Sequence, residues 1–217
     1  AGSIIAYCGP DTPSPVTDVK MTVADNGSAS ISWEAPTGGI HNGYFNADLL
    51  TYDIVRYPDE VVVAAGIKET TFTETLPSTL TRYHYTVTVA CDGIEGEPVA
   101  SNSIVYGDGM PLPFDSELGG EEFFNLCTIY DNDGDDNTWY ETWGSASCST
   151  GYHEAGYQSD DWYITPPIAL EPGNYFVETV YAAIGGKPTV DFTMGNSQDF
   201  HSHKILATFS GMVYEDG

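Results

Sequence analysis

Tyr83-His84-Tyr85-Thr86-Val87-Thr88-Val89-Ala90 is the stretch that decides the fold class of this chain. Tyr83, Tyr85, Val87 and Val89 share one face, and His84, Thr86 and Thr88 take the other. That period of two is a half-buried strand, made of aromatic and β-branched residues that suit a pleated surface. Working outward, runs of the same kind recur at short spacing. Residues 16–23 and 29–33 alternate on either side of Asp25-Asn26-Gly27-Ser28, which has the composition of a hairpin turn. Residues 52–57, 61–64 and 71–73 follow, and 102–105 close the series. No stretch shows helical periodicity. Seven short strands between Pro13 and Gly109 specify an all-β domain with the spacing of a β-sandwich.

The whole chain has 217 residues, enough for one large or two ordinary domains. Hydrophobic residues make up 41% and aromatics 13%, which suffices for a packed core. Thirty-two acidic residues face six Lys and Arg, a net charge of -26. Nucleic-acid binding needs a basic face, and so does docking on an anionic membrane; six scattered cations build neither. The acidity reads as a solvated surface with carboxylates to spare for cations. No run of about 18 apolar residues exists, so membrane insertion is not expected. There is no basic leader followed by an apolar segment, so any signal peptide is absent from this sequence.

The first region resembles a fibronectin type III domain. The resemblance rests on Pro15-Val16-Thr17-Asp18-Val19, Ile31-Ser32-Trp33-Glu34-Ala35-Pro36, Tyr52-Asp53-Ile54-Val55-Arg56, Leu80 with Tyr83-His84-Tyr85-Thr86-Val87, and Ser101-Asn102-Ser103-Ile104. It implies that Trp33 is the core tryptophan and that Leu80 and Tyr83 form the family's leucine-and-tyrosine corner. No Arg-Gly-Asp motif is present. The boundaries read as an N-terminal segment 1–12, a fibronectin type III domain 13–109, a proline-stiffened linker 110–113 and a second module 114–217. Residues 3–7 echo 103–106, as if segment 1–12 ended an earlier module.

In the second module, residues 123–130, 138–142, 162–165, 175–181, 189–194 and 204–209 are the strand candidates. Its most informative stretch is Tyr130-Asp131-Asn132-Asp133-Gly134-Asp135-Asp136-Asn137-Thr138-Trp139. Asp131, Asp133 and Asp135, with Asp136 beside them, supply the oxygen donors at alternate positions that a hard cation needs, and Gly134 permits the tight turn. The same residues are also good turn chemistry without any metal. Asp115, Glu117, Asp160 and Asp161 form a second acidic set, able either to bind metal or to face water.

Pro113-Phe114-Asp115-Ser116-Glu117, the 130–135 loop and Asp161-Trp162-Tyr163-Ile164-Thr165-Pro166-Pro167-Ile168 recur in that order in one family. By these motifs the second module resembles the cleaved adhesin domains of gingipain-like secreted proteins of Bacteroidetes, which often follow a fibronectin type III domain. The resemblance implies a jelly-roll, galactose-binding-like β-sandwich with structural calcium (Ca2+), exported and engaged in adhesion. In such jelly rolls, ligands from the first strand and a later strand converge on the metal, which here means the second acidic set. A complete jelly roll has about eight strands, so six candidates suggest a piece of a longer protein; the alternative is a complete small protein with an atypical sandwich.

The four cysteines form no zinc pattern. Cys127 with Cys148, and Cys8 with Cys91, are disulfide candidates; buried thiols are the other reading. Trp139, Tyr140 and Trp143 beside the acidic loop could form a sugar-stacking platform, although aromatics in a sandwich are more often core. Trp162 reads as core. His201 and His203 have a metal-compatible spacing but no third partner, so a surface strand face is expected there. His41, His84 and His153 have no recognisable partners. There is no Gly-x-Ser-x-Gly elbow, His-Glu-x-x-His helix or Walker loop, and pairing Cys127 with His153 as a nucleophile has little support. The sequence therefore reads as non-enzymatic, and the resemblance to adhesin domains implies a secreted or cell-surface module that binds an extracellular protein of the host or matrix. The alternatives are a carbohydrate-binding appendage of a hydrolase and a purely structural spacer.

Overall fold

A computed structural model describes residues 9–112, 123–142, 145–148, 159–178, 189–196 and 201–210. The chain divides into two units between Asp108 and Gly109.

The first unit contains β1 (Thr17–Val23), β2 (Ser28–Glu34), β3 (Leu50–Tyr57), β4 (Val61–Ile67), β5 (Thr71–Thr75) and β6 (Thr81–Cys91). The short β7 (Ile94–Glu95), β8 (Val99–Ala100) and β9 (Ile104–Tyr106) complete it. One sheet has the order β1-β2-β5; the other has the order β4-β3-β6-β7, with β8 and β9 also pairing β6. Every pairing is antiparallel. Each of the seven runs expected from the sequence overlaps a strand.

The alternation of β6 explains the core. Tyr83, Tyr85, Val87 and Val89 are each no more than 2% exposed and pack with Ile31 and Trp33 from β2 and Tyr52 and Ile54 from β3. Trp33 meets Tyr52 edge-on, with ring centres 5.2 Å apart. The Tyr83 hydroxyl donates to the Thr79 carbonyl at 3.0 Å, forming a tyrosine corner. The leucine that fills the core there is Leu76, not Leu80, which is only half-buried. Leu76 continues the inward alternation of Phe72 and Glu74 past the end of β5.

A polar cluster crosses between the sheets. Glu74 on β5 accepts from the Tyr85 hydroxyl at 2.6 Å and from Arg56 Nη1 at 2.9 Å. Arg56, which is 8% exposed, also grips Asp59 through Nη2 at 2.6 Å. A second tie joins β1 to the residues between β8 and β9. The Asn102 side chain accepts from the Met21 N–H at 2.7 Å and donates to the Met21 carbonyl at 3.0 Å.

Residues 10–12, expected in a separate N-terminal segment, are bonded into the first unit. Buried Asp11 accepts the backbone N–H groups of His41 (2.9 Å) and Gly43 (2.8 Å) and sits against the His41 ring. Burial alone would raise its carboxyl pKa, but these donors together hold it below the usual value. His41 thus has a partner that the sequence did not disclose. His84 does too, stacking on Tyr57 with ring centres 4.7 Å apart. His153 lies outside the described residues.

Gly27 closes the β1–β2 turn with φ +78, and a Cβ there would run into the Tyr106 hydroxyl. We expect Gly27→Ala to cost the first unit about 1–3 kcal/mol through backbone strain and steric overlap. Urea titration checks this, and a variant as stable as the parent would contradict the packing described.

The second unit contains β10 (Thr128–Asp131), β11 (Trp139–Thr142), β12 (Ser145–Cys148), β13 (Asp161–Ile164), β14 (Thr189–Gly195) and β15 (His203–Ser210). They form three antiparallel ladders, β10-β13, β11-β12 and β14-β15. Among the described residues these do not join into the two sheets of the expected jelly roll. Residues 123–126, expected to begin a strand, are helical. Phe123 and Cys127, four apart, both turn inward at 3% and 4% exposure, as a helical turn requires. Residues 175–178 form no strand; 179–181 lie outside the described residues. Met110, expected in the linker, bridges to Ile168 and donates to the Pro167 carbonyl at 2.8 Å. No helix among the described residues is long and apolar enough to cross a membrane.

Candidate metal centre

The site is built by strand register. β10 and β13 pair so that Tyr130 faces Trp162 and Asp131 faces Asp161. Two carboxylates directly opposite one another on a ladder repel. Past the end of β10 the chain turns through Asn132-Asp133-Gly134, with Gly134 at φ +72, and brings Asp133 back to the same place. One carboxylate oxygen from each of Asp131, Asp133 and Asp161 lies within 4.8 Å of the others.

The loop is held independently of any ion. Asp131 accepts the N–H groups of Gly134 (2.7 Å), Asp135 (3.2 Å) and Asp136 (2.9 Å). Asp133 accepts the Asp160 N–H at 2.9 Å, which ties the loop to the start of β13. Asp161 Oδ1 is shielded from solvent with no hydrogen-bond partner, while its Oδ2 is held by Ser159 Oγ. A shielded carboxylate oxygen without a donor is costly, and a cation would remove that cost.

The structure divides the expected ligands. Asp131, Asp133 and Asp161 come together. Asp135, Asp136 and Asp160 are not in that group; the carboxylates of Asp135 and Asp160 are taken up by hydrogen bonds of their own. Asp135 Oδ1 accepts from the Asn137 N–H at 2.7 Å. Asp136 is an exposed turn residue at φ +64. The two Asp160 oxygens take Trp162 Nε1 at 2.8 Å and Asn132 Nδ2 at 2.6 Å. Asp115 and Glu117 lie outside the described residues. The sequence separated Asp161 from the 131–136 loop; a cross-strand register joining positions thirty residues apart brings them together.

Of the expected aromatic platform, Trp139 and Tyr140 are among the described residues. Trp139 is half-buried, donates its indole N–H to the Asp161 carbonyl at 3.2 Å and tilts against Tyr163 at 6.0 Å. Tyr140, its neighbour on β11, is 51% exposed. Trp143 lies outside the described residues. Trp162, expected in the core, is only half-buried and meets His203 edge-on at 4.5 Å. His201 and His203 belong to no metal-competent group among the described residues.

Cys127 and Cys148 are not bridged to each other. The Cys127 thiol lies 3.0 Å from the Tyr163 hydroxyl, whereas Cys148 on β12 faces Asp161 at 3.8 Å. Burial first, then the charge of Asp161, pushes the Cys148 thiol up to about 11. Cys91 is a buried thiol near the Asn46 carbonyl, and its candidate partner Cys8 lies outside the described residues.

No protein-family model matches the chain, and no curated protein matches it. Solved structures do. Domains d3-d4 of the rat CD45 extracellular region match with 17% identity over 48% of this chain and 61% of that chain, less than two thirds of it, at a TM-score of 0.36. An Fn3-like protein from Clostridium thermocellum matches with 22% identity over 44% of this chain and 93% of that chain, at 0.33. Domains A168-A170 from titin match with 19% identity over 45% of this chain and 33% of that chain, at 0.37. By its own strand order and tyrosine corner, the first unit is a fibronectin type III-like β-sandwich.

Proposed function

We propose that the second unit holds a structural calcium ion between Asp131, Asp133 and Asp161, and that the chain is a non-enzymatic, exported binding module. The observation that carries this is the carboxylate triad, drawn from both strands of one ladder and from the loop that follows β10. Its donors are all oxygens, which suits a hard cation. A bound ion would turn the Asp131–Asp161 repulsion into a staple holding β10, the loop and β13 together. Support for adhesion to an extracellular host or matrix protein comes from the second module's motifs, which resemble cleaved adhesin domains. One observation favours the carbohydrate-binding reading: Tyr140 on β11 is well exposed. The test is an array of extracellular-matrix proteins and glycans probed in calcium and in EDTA. Calcium-dependent capture by a protein is the expected result. Capture by glycans alone would replace it with the carbohydrate reading, and equal capture in EDTA would remove the ion from function.

A further inference from the structure

β4 is the outer strand of its sheet, and no described strand pairs with its far side. Natural edge strands are usually blunted by charge, proline or brevity, because an open row of N–H and C=O groups templates another strand. β4 has neither charge nor proline, and its one protection is irregular pairing with β3. Val61-Val62-Val63-Ala64-Ala65-Gly66-Ile67 runs seven residues without a charge or a proline, and Val61 and Val62 are 42% and 61% exposed. In a chain of net charge -26, the charges flank the strand instead: exposed Glu60 precedes it and exposed Lys68 follows it.

Their placement is self-complementary. About a two-fold axis at Ala64, antiparallel pairing with β4 of a second copy sets Val61 opposite Ile67 and brings Glu60, the turn residue at φ +55 just before the strand, near Lys68 just after it, each contact occurring twice. The next pair outward is Asp59 with Glu69. Asp59 is already neutralised by Arg56 at 2.6 Å, and Glu69 accepts its own chain's Lys68 N–H at 3.2 Å. We propose that two copies of this chain associate through β4, forming a symmetric ladder between their first units. The ladder is short. β4 is irregular against β3 at two places, and the Gly66 N–H is already given to Asp53 Oδ1 at 2.7 Å. The association is therefore weak and depends on concentration.

Sedimentation equilibrium of the whole chain in EDTA tests this, since chelation removes any metal-bridged association. The weight-average mass should rise with concentration from 23.5 kDa towards twice that value. Lys68→Glu places like charges opposite one another and should move the midpoint to roughly tenfold higher concentration. Adding Glu60→Lys to that variant should restore it, which a folding defect would not do. A single 23.5-kDa species at every concentration would overturn the proposal. So would a dimer indifferent to Lys68→Glu, or association that requires calcium.

Discussion

Glu74→Ala is expected to lower the stability of the first unit by about 3–5 kcal/mol, the usual effect of removing one member of a buried ion pair. Glu74 spans the sheets, with one oxygen on Tyr85 and the other on Arg56. Without it, Arg56, whose side chain is 10% exposed, keeps only Asp59, and the fully buried Tyr85 hydroxyl loses its acceptor. Glu74→Gln retains an acceptor of the same shape and should cost about 1–3 kcal/mol. Chemical denaturation of each variant reads the difference, and a Glu74→Ala loss below that of Glu74→Gln would refute the clamp. The same site predicts behaviour in alkali. Burial first, and then the hydrogen bond to Glu74 and its charge, hold the Tyr85 hydroxyl well above the ordinary 10.0. Because its folded value is raised, the stability it contributes is complete below about pH 10. It is lost as the pH climbs further, when the unfolded chain releases a proton that the folded one keeps. Burial acts in the same direction on Tyr52 and Tyr83.

For the second unit, chelation is expected to lower the unfolding midpoint. At a calcium concentration of 100 times Kd the ion contributes about 2.7 kcal/mol, roughly 10–20 °C for a domain of this size. Asp161→Asn should change sign with conditions. In EDTA it relieves the repulsion with Asp131 and melts at or slightly above the parent; in calcium it melts well below. Differential scanning calorimetry with and without calcium reads both arms. A second transition that ignores EDTA in the parent protein would end the calcium reading.

What could be read from sequence follows the range of the interactions. The β6 alternation was plain because each residue's environment is set by its neighbours two positions away, and the core found at Tyr83, Tyr85, Val87 and Val89 follows from it. β12 carried no such signal, since Ser145-Ala146-Ser147-Cys148 is small and polar and is a strand only through its pairing with β11. Phe123 and Cys127 misled because two apolar residues four apart fit either a strand end or a single helical turn. The acidic loop was legible as a loop, but which carboxylates gather was not. The Asp135 carboxylate is spent on turn geometry, while Asp161 is brought beside Asp131 by register. Asp11 and His41, thirty residues apart, were hidden for the same reason.

The Asn102 side chain has a mechanical meaning. A pull on the two ends of the first unit meets the ties of Asp11 and Thr12 first, then β1, and at the other end β9. By holding both the N–H and the carbonyl of Met21, the Asn102 amide stands in for a stretch of strand across the seam between them. Two hydrogen bonds therefore share the load at that seam, and Asn102→Ala, which removes both, is expected to lower the force at which β1 detaches.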